Sequence, residues 1–158
     1  MEMLIVCTAI ACAAMGGVFF AFSSFVMQGL KALPPAPGIT AMRSINVTAV
    51  TPIFMTALFG TAAACIAVLV SAAIEWHDTA SAYLIAGSLS YLVGAIGVTI
   101  AFNVPLNNAL AAADPSSGDA MSLWMKYVRR WTAWNHVRTA AGLIAAALLM
   151  WTVTGDGF

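Results

Sequence analysis

Residues Trp134–Val153 read WNHVRTAAGLIAAALLMWTV. After Arg138, the stretch Thr139–Val153 holds fifteen residues and no charge, about 22 Å of helix at 1.5 Å per residue. A hydrocarbon core is ~30 Å thick, so a spanning helix has to begin earlier and carry Arg138 inside its edge. Three further stretches have membrane length: Leu4–Val26, Pro52–Ile74 and Ala80–Phe102. The expected architecture is an all-α integral membrane four-helix bundle, formed by residues 1–158 as a single unit.

Composition supports lipid as the solvent. Hydrophobic residues make up 62% of the chain and charged residues 8%, six basic against six acidic. Soluble domains are roughly 45–50% apolar and about 25% charged, so such a surface is not built for water. Nucleic-acid partners are excluded as well, because no basic patch of the needed size exists. Cys7, Cys12 and Cys65 lie in apolar runs without a CxxC pair or an adjacent His. They read as small buried hydrophobes, not as a disulfide framework or metal site. The first apolar run lacks a basic n-region, opens with Glu2 and exceeds a signal-peptide h-region, so it is expected to persist as a span.

All six basic residues flank loops one and three: Lys31, Arg43, Lys126, Arg129, Arg130 and Arg138. The positive-inside rule then places these loops in the cytoplasm and both termini outside, in a cell-membrane protein. Trp76 and Trp151, at the opposite ends, suit an aromatic belt. Small residues mark expected packing seams: Ala13-Gly17-Ala21, Ala86-Ser90-Gly94, Gly60 with Ala64, and Gly142 with Ala146.

Polar residues collect at the ends of the spans near the basic loops: Ser23, Ser24, Asn46, Asn103, Asn107, Asn108, Asn135 and Arg138. An antiparallel bundle brings them to one pocket near the inner leaflet. A charge at the depth of Arg138 costs several kcal/mol unless it faces the bundle, pairs or snorkels, and no Asp or Glu lies inside any span to pair with it. Trp131, Asn135 and Arg138 share a helix face at i, i+4 and i+7. Trp134 lies at its edge and His136 points away. The preceding Met121–Arg130 reads as an amphipathic interfacial helix, with Trp124 a belt candidate.

Asn103-Val104-Pro105-Leu106-Asn107-Asn108 closes span three. Pro105 frees the carbonyl of Ala101. The amides either cap the helix end or share a face if the helix runs on through the kink. Thr40 is placed to cap a helix carrying Met42, Ile45 and Asn46. Asn46-Val47-Thr48 is a chance sequon. The spans hold no carboxylate for a di-iron site, His77 and His136 sit at opposite faces and cannot ligate one haem iron together, and no dinucleotide, nucleophile-elbow or P-loop motif occurs.

Phe22-Ser23-Ser24-Phe25-Val26, Gly29-Leu30 with Leu33-Pro34, Met42 with Ile45-Asn46, Asn103-Val104-Pro105-Leu106-Asn107, and Trp134-Asn135 with Arg138 resemble the anthrone oxygenase-like family. The motifs span nearly the whole chain in the family's order. The departure is Met27-Gln28, where proline is expected near the glycine. The resemblance implies a small four-helix membrane protein. Its fungal members look like cofactor-free monooxygenases that turn anthrones into anthraquinones. No metal or cofactor is then expected, and the partners are lipid, a lipophilic aromatic molecule and dioxygen. Such a substrate has an electron-rich phenolate form. Arg138 is the candidate to stabilise it, with Asn103 and Asn135 the other catalytic candidates. Phe22, Ser23, Asn46, Asn107, Trp131 and Trp134 are the substrate-binding candidates. Rival readings are a non-catalytic membrane module that binds lipid or a partner protein, and a small-molecule permeation protein. The oligomeric state stays open.

Overall fold

The computed structural model describes residues 1–76 and 79–154, so the expectation for His77 lies outside the described residues. Helix α1 runs Glu2–Lys31, α2 Pro35–Thr48, α3 Pro52–Ile74, α4 Thr79–Ala112 and α5 Ala120–Thr154; among the described residues there is no strand. All except α2 are long and apolar enough to cross a membrane. The chain is an all-α, multi-pass membrane protein. Helix is the expected solution in lipid, where every backbone N–H and C=O must find a partner within its own segment. The apolar surface points outward, with Ile53 85% and Ile74 78% exposed.

The four long helices form a ring in which α1 packs on α5, α5 on α4, α4 on α3, and α3 back on α1. The backbones of α1 and α5 come close together. A Cβ on Gly142 would stand 3.0 Å from the Gly16 Cα, and one on Gly16 would stand 3.1 Å from Leu143. On the other flank of α5, Gly87 packs against Leu148 and Leu149, and Gly94 against the Ala141 methyl. Ser90 donates to the Ala141 carbonyl at 3.0 Å. Of the expected seams, Ser90-Gly94 and Gly142 are therefore used. A Cβ added to Gly17 or Gly60 would meet nothing within 4 Å, and both glycines face outward. Consecutive small residues such as Gly16-Gly17 differ by about 100° around the axis, and composition alone does not choose between them.

Two cores stack along the bundle. One is built of Ile5, Cys12, Phe19, Leu58, Cys65, Tyr91, Ala145 and Leu149. The other lies toward the basic end and is built of Met27, Leu30, Ile39, Met42, Leu110, Trp124, Tyr127 and Trp131. Cys12 and Cys65 are buried with their sulfurs 3.6 Å apart, whereas Cys7 is exposed and so departs from the buried reading.

Several local expectations are corrected. Helix α2 starts at Pro35, with Pro34 as its N-cap, and Thr40 sits inside it, bonded to the Ala36 carbonyl. Proline is preorganised for the first helical turn, where its missing N–H costs nothing, so the breaker cluster starts a helix. Met121–Arg130 is continuous with the fourth span in one 35-residue helix; of its apolar residues Trp124 and Val128 are buried, and Met121 and Met125 are exposed. Trp124 is 1% exposed, with Gly38 against its indole, so it is no belt residue. Arg43 crosses from α2 to α4, where its guanidinium donates to the carbonyls of Leu110 and Ala113 and satisfies the end of that helix.

Candidate functional site

Helices α1 and α4 are not uniformly α. Wide i→i+5 turns occupy Phe22–Val26 in α1, and Ser90–Gly97 and Thr99–Asn103 in α4. Such turns alter which backbone groups are paired, and they concentrate at functional sites. The turn at Thr99–Asn103 stands directly before Pro105, whose ring nitrogen cannot donate to Ala101. The helix continues past Pro105 to Ala112, so the Asn run does not cap an end.

At this level a cleft of about 550 Å³ opens between α1, α2, α3, α4 and α5. Phe22, Asn46, Asn103, Asn107, Trp131, Asn135 and Arg138 all line it. Ser23 does not line it but is buried beside it, bonded to Asn135 and Thr139. Trp134 stacks on Phe102 at 3.6 Å between centroids, outside the cleft. Ser24 bonds to its own helix at Phe20, and Ser24 and Asn108 are exposed, so neither joins the polar group.

Asn135 is completely buried and holds α1 to α5. Its Nδ2 donates to the Phe19 carbonyl at 2.7 Å and to Ser23 Oγ at 2.8 Å. The Phe19 carbonyl lies at the entry to the first wide turn, where the α-helical ladder is interrupted. Asn135 Oδ1 accepts from Arg138 Nη1 at 3.3 Å. With both donors and its acceptor used, Asn135 is a brace that aims the arginine.

Arg138 is 6% exposed. Its guanidinium carbon lies 3.9 Å from the centre of the Phe19 ring, a cation–π contact. Its Nε is buried with no hydrogen-bond partner, and among the described residues no carboxylate forms an ion pair with it. The cation is therefore incompletely compensated, a condition that costs free energy unless a negative or electron-rich group completes it. Asn103, 1% exposed, donates Nδ2 to the Trp131 carbonyl at 3.3 Å and leaves Oδ1 buried without a donor. The cleft thus holds one buried donor and one buried acceptor in need of partners. Native interiors rarely leave such groups unsatisfied.

Asn107 is set differently. Its Oδ1 accepts from Tyr127 Oη at 2.8 Å and from Trp131 Nε1 at 2.9 Å. Two donors on the oxygen leave the amide nitrogen as a donor for the cleft. Tyr127 and the Phe19 ring had no place among the sequence candidates. Tyr127 extends the Trp131-Asn135-Arg138 stripe by one further turn, so the same helical spacing carried its signal. Phe19, one turn before Phe22-Ser23, carried only an apolar one. The remaining walls include Met42, Ile45, Phe54, Met55 and Leu58. Among the described residues no three His, Cys, Asp or Glu side chains gather to hold a metal ion.

Fold and site together define a polytopic helical membrane protein with an apolar cleft around one buried arginine. A family model described as anthrone oxygenase matches residues 52–148, and the chain belongs to that family. The match takes in Asn103, Asn107, Trp131, Asn135 and Arg138. No curated protein and no solved structure matches the chain.

Proposed function

We propose that the protein is a membrane monooxygenase that oxidises an anthrone-like or other lipophilic aromatic substrate in this cleft, with its own side chains as the only catalytic groups. The observation that carries the reading is the buried guanidinium of Arg138, with Nε unpartnered, at the wall of a cleft of about 550 Å³. The volume lies in the range of pockets for drug-sized molecules, about 300–1,000 Å³. The substrate enters from the lipid as a neutral tautomer and loses a proton to water to give a phenolate. Arg138 holds the phenolate oxygen, and the charge acts strongly because the cleft is walled mostly by apolar side chains. The Asn107 amide nitrogen and Asn103 bind the second oxygen substituent. Phe22 and Trp131, in tilted contact at 5.7 Å between ring centroids, form one aromatic wall against the rings. Dioxygen takes up the electrons at the activated ring carbon. The CH₂ becomes C=O, one oxygen atom enters the product, and the other leaves as water with the two hydrogens.

In this reading the cleft faces the cytoplasm and both termini lie outside, which the positive-inside bias of the basic loops supports. The test is oxygen uptake by purified protein in detergent with an anthrone substrate and a chelator present. Uptake with stoichiometric quinone formation supports the reading. No turnover across several anthrones and quinols removes it and leaves a binding protein.

A further inference from the structure

A second concavity, of about 620 Å³, lies on the opposite face of α5, between its first half and the end of α1. Its rim carries Lys31 and Gln28 from α1 and Lys126, Arg129, Thr132 and His136 from α5. We propose that this groove binds the phosphate headgroup of an acidic phospholipid, as a site separate from the cleft and independent of the oxygenase reading.

Charge is the first ground. Three permanent cations converge there, and among the described residues no carboxylate lines the groove. The neighbouring cleft on the other side of Lys126 offers a contrast, since there Asp119 stands with Lys126 and Arg130. Arg43, the remaining loop cation, is committed to the carbonyls that end α4. Lys31, Lys126 and Arg129 are exposed.

Shape is the second ground. Ser122 and His136 both line the groove, fourteen residues apart on one continuous helix, or about 21 Å. It starts among the cations and ends beside the first turns of the span, the course of an amphiphile with its head at the interface and its chains in lipid. A free phosphate ion would use only the charged end. The third ground is Thr132, partway along, whose hydroxyl is buried and has no partner. A phosphate or glycerol ester oxygen would accept its proton. Basic pockets at the ends of membrane helices take phosphate headgroups in this way.

The test is native mass spectrometry of the delipidated full chain, titrated with dioleoyl phosphatidylglycerol or dioleoyl phosphatidylcholine. The expected result is preferential retention of phosphatidylglycerol. Lys31→Gln and Arg129→Gln should each weaken it about fivefold, and the double variant about 25-fold. These exposed residues should leave the helical circular dichroism unchanged. Arg130→Gln, outside the groove, should retain the lipid as the parent does. Equal retention of the two lipids would overturn the proposal. So would an Arg130→Gln loss as large as that of Arg129→Gln, which would mean diffuse surface charge. Displacement of the lipid by millimolar inorganic phosphate would overturn it too, since the site would then be one for the free ion.

Discussion

The two ends of the bundle solve opposite problems. Away from the basic loops, helices touch through Gly16, Gly142, Gly87 and Gly94. Backbones come close at these glycines, Thr8 and Thr61 bond to carbonyls of their own helix at 2.7 Å, and Ser90 and Tyr91 cross only to main-chain carbonyls of the neighbouring helices. Toward the basic loops the contacts are Trp, Tyr and Met, the helices pass through wide turns, and polar groups bond between helices. One end is a packed wall and the other a partly unsatisfied chamber. In lipid, close packing holds helices together because there is no hydrophobic drive between them. The close-packed end can hold the helices while the other end stays open.

That contrast can be broken most forcefully at Arg138. Arg138→Met should cut anthrone turnover by about 100- to 1,000-fold, the scale seen when a preorganised charge is removed from a reacting oxygen. The same change should leave thermal stability equal or higher, since it deletes a buried charge with no opposite partner. Detergent melting curves and oxygen uptake on one preparation check both. A large fall in melting temperature would recast the arginine as a structural group.

Asn135→Leu should come next. It removes one of two partners from the Phe19 carbonyl and from Ser23, which keep the Phe22 N–H and Thr139, and it takes the acceptor from Arg138 Nη1, a loss of about 1–3 kcal/mol. Loss of turnover should accompany the loss of stability, unlike the split expected for Arg138→Met. At the packed end, Gly142→Ala should destabilise by about 1–3 kcal/mol through overpacking and leave the KM of the surviving folded protein unchanged. Its counterpart Gly17→Ala should be neutral or slightly stabilising, by up to ~1 kcal/mol, because the site is open and alanine suits helix. If the two glycines behave alike, the assignment of the seam is wrong. The smallest effect is expected from Tyr127→Phe, which removes one of two donors to Asn107 Oδ1 and should lower turnover by a few-fold, on the order of 1 kcal/mol, without moving the melting curve by much.

How much of this was readable from sequence differs between the same two regions. Span number and helical class follow from counting residues against a fixed lipid thickness, a constraint with few solutions, and the same count singled out Arg138, which is buried in the bundle. The stripe Trp131-Asn135-Arg138 was readable because α5 is an uninterrupted helix there, so the 3.6-residue period holds. Where the period breaks, the reading weakens. Ser23 and Ser24 both lie within the wide turn in α1, and only Ser23 turns inward. Gly16 and Gly17 are equivalent by composition, and the choice between them depends on which face meets α5. Arg43 looked like a topological charge because its partners, the last carbonyls of α4, carry no side-chain signature.

The wide turns have a consequence for the phase of the helices that carry them. A turn with one extra residue rotates everything beyond it by about 100° relative to an uninterrupted helix. In α4 the part before the interruption takes its angular setting from Gly87 against α5, and the part after it from Asn103 on the Trp131 carbonyl. Each half keeps its own angular setting, and the slack is absorbed between them, within Ser90–Asn103. Deleting a single residue there, such as Val93, would force both halves onto one phase. Either the seam or the amide would then have to leave its partner.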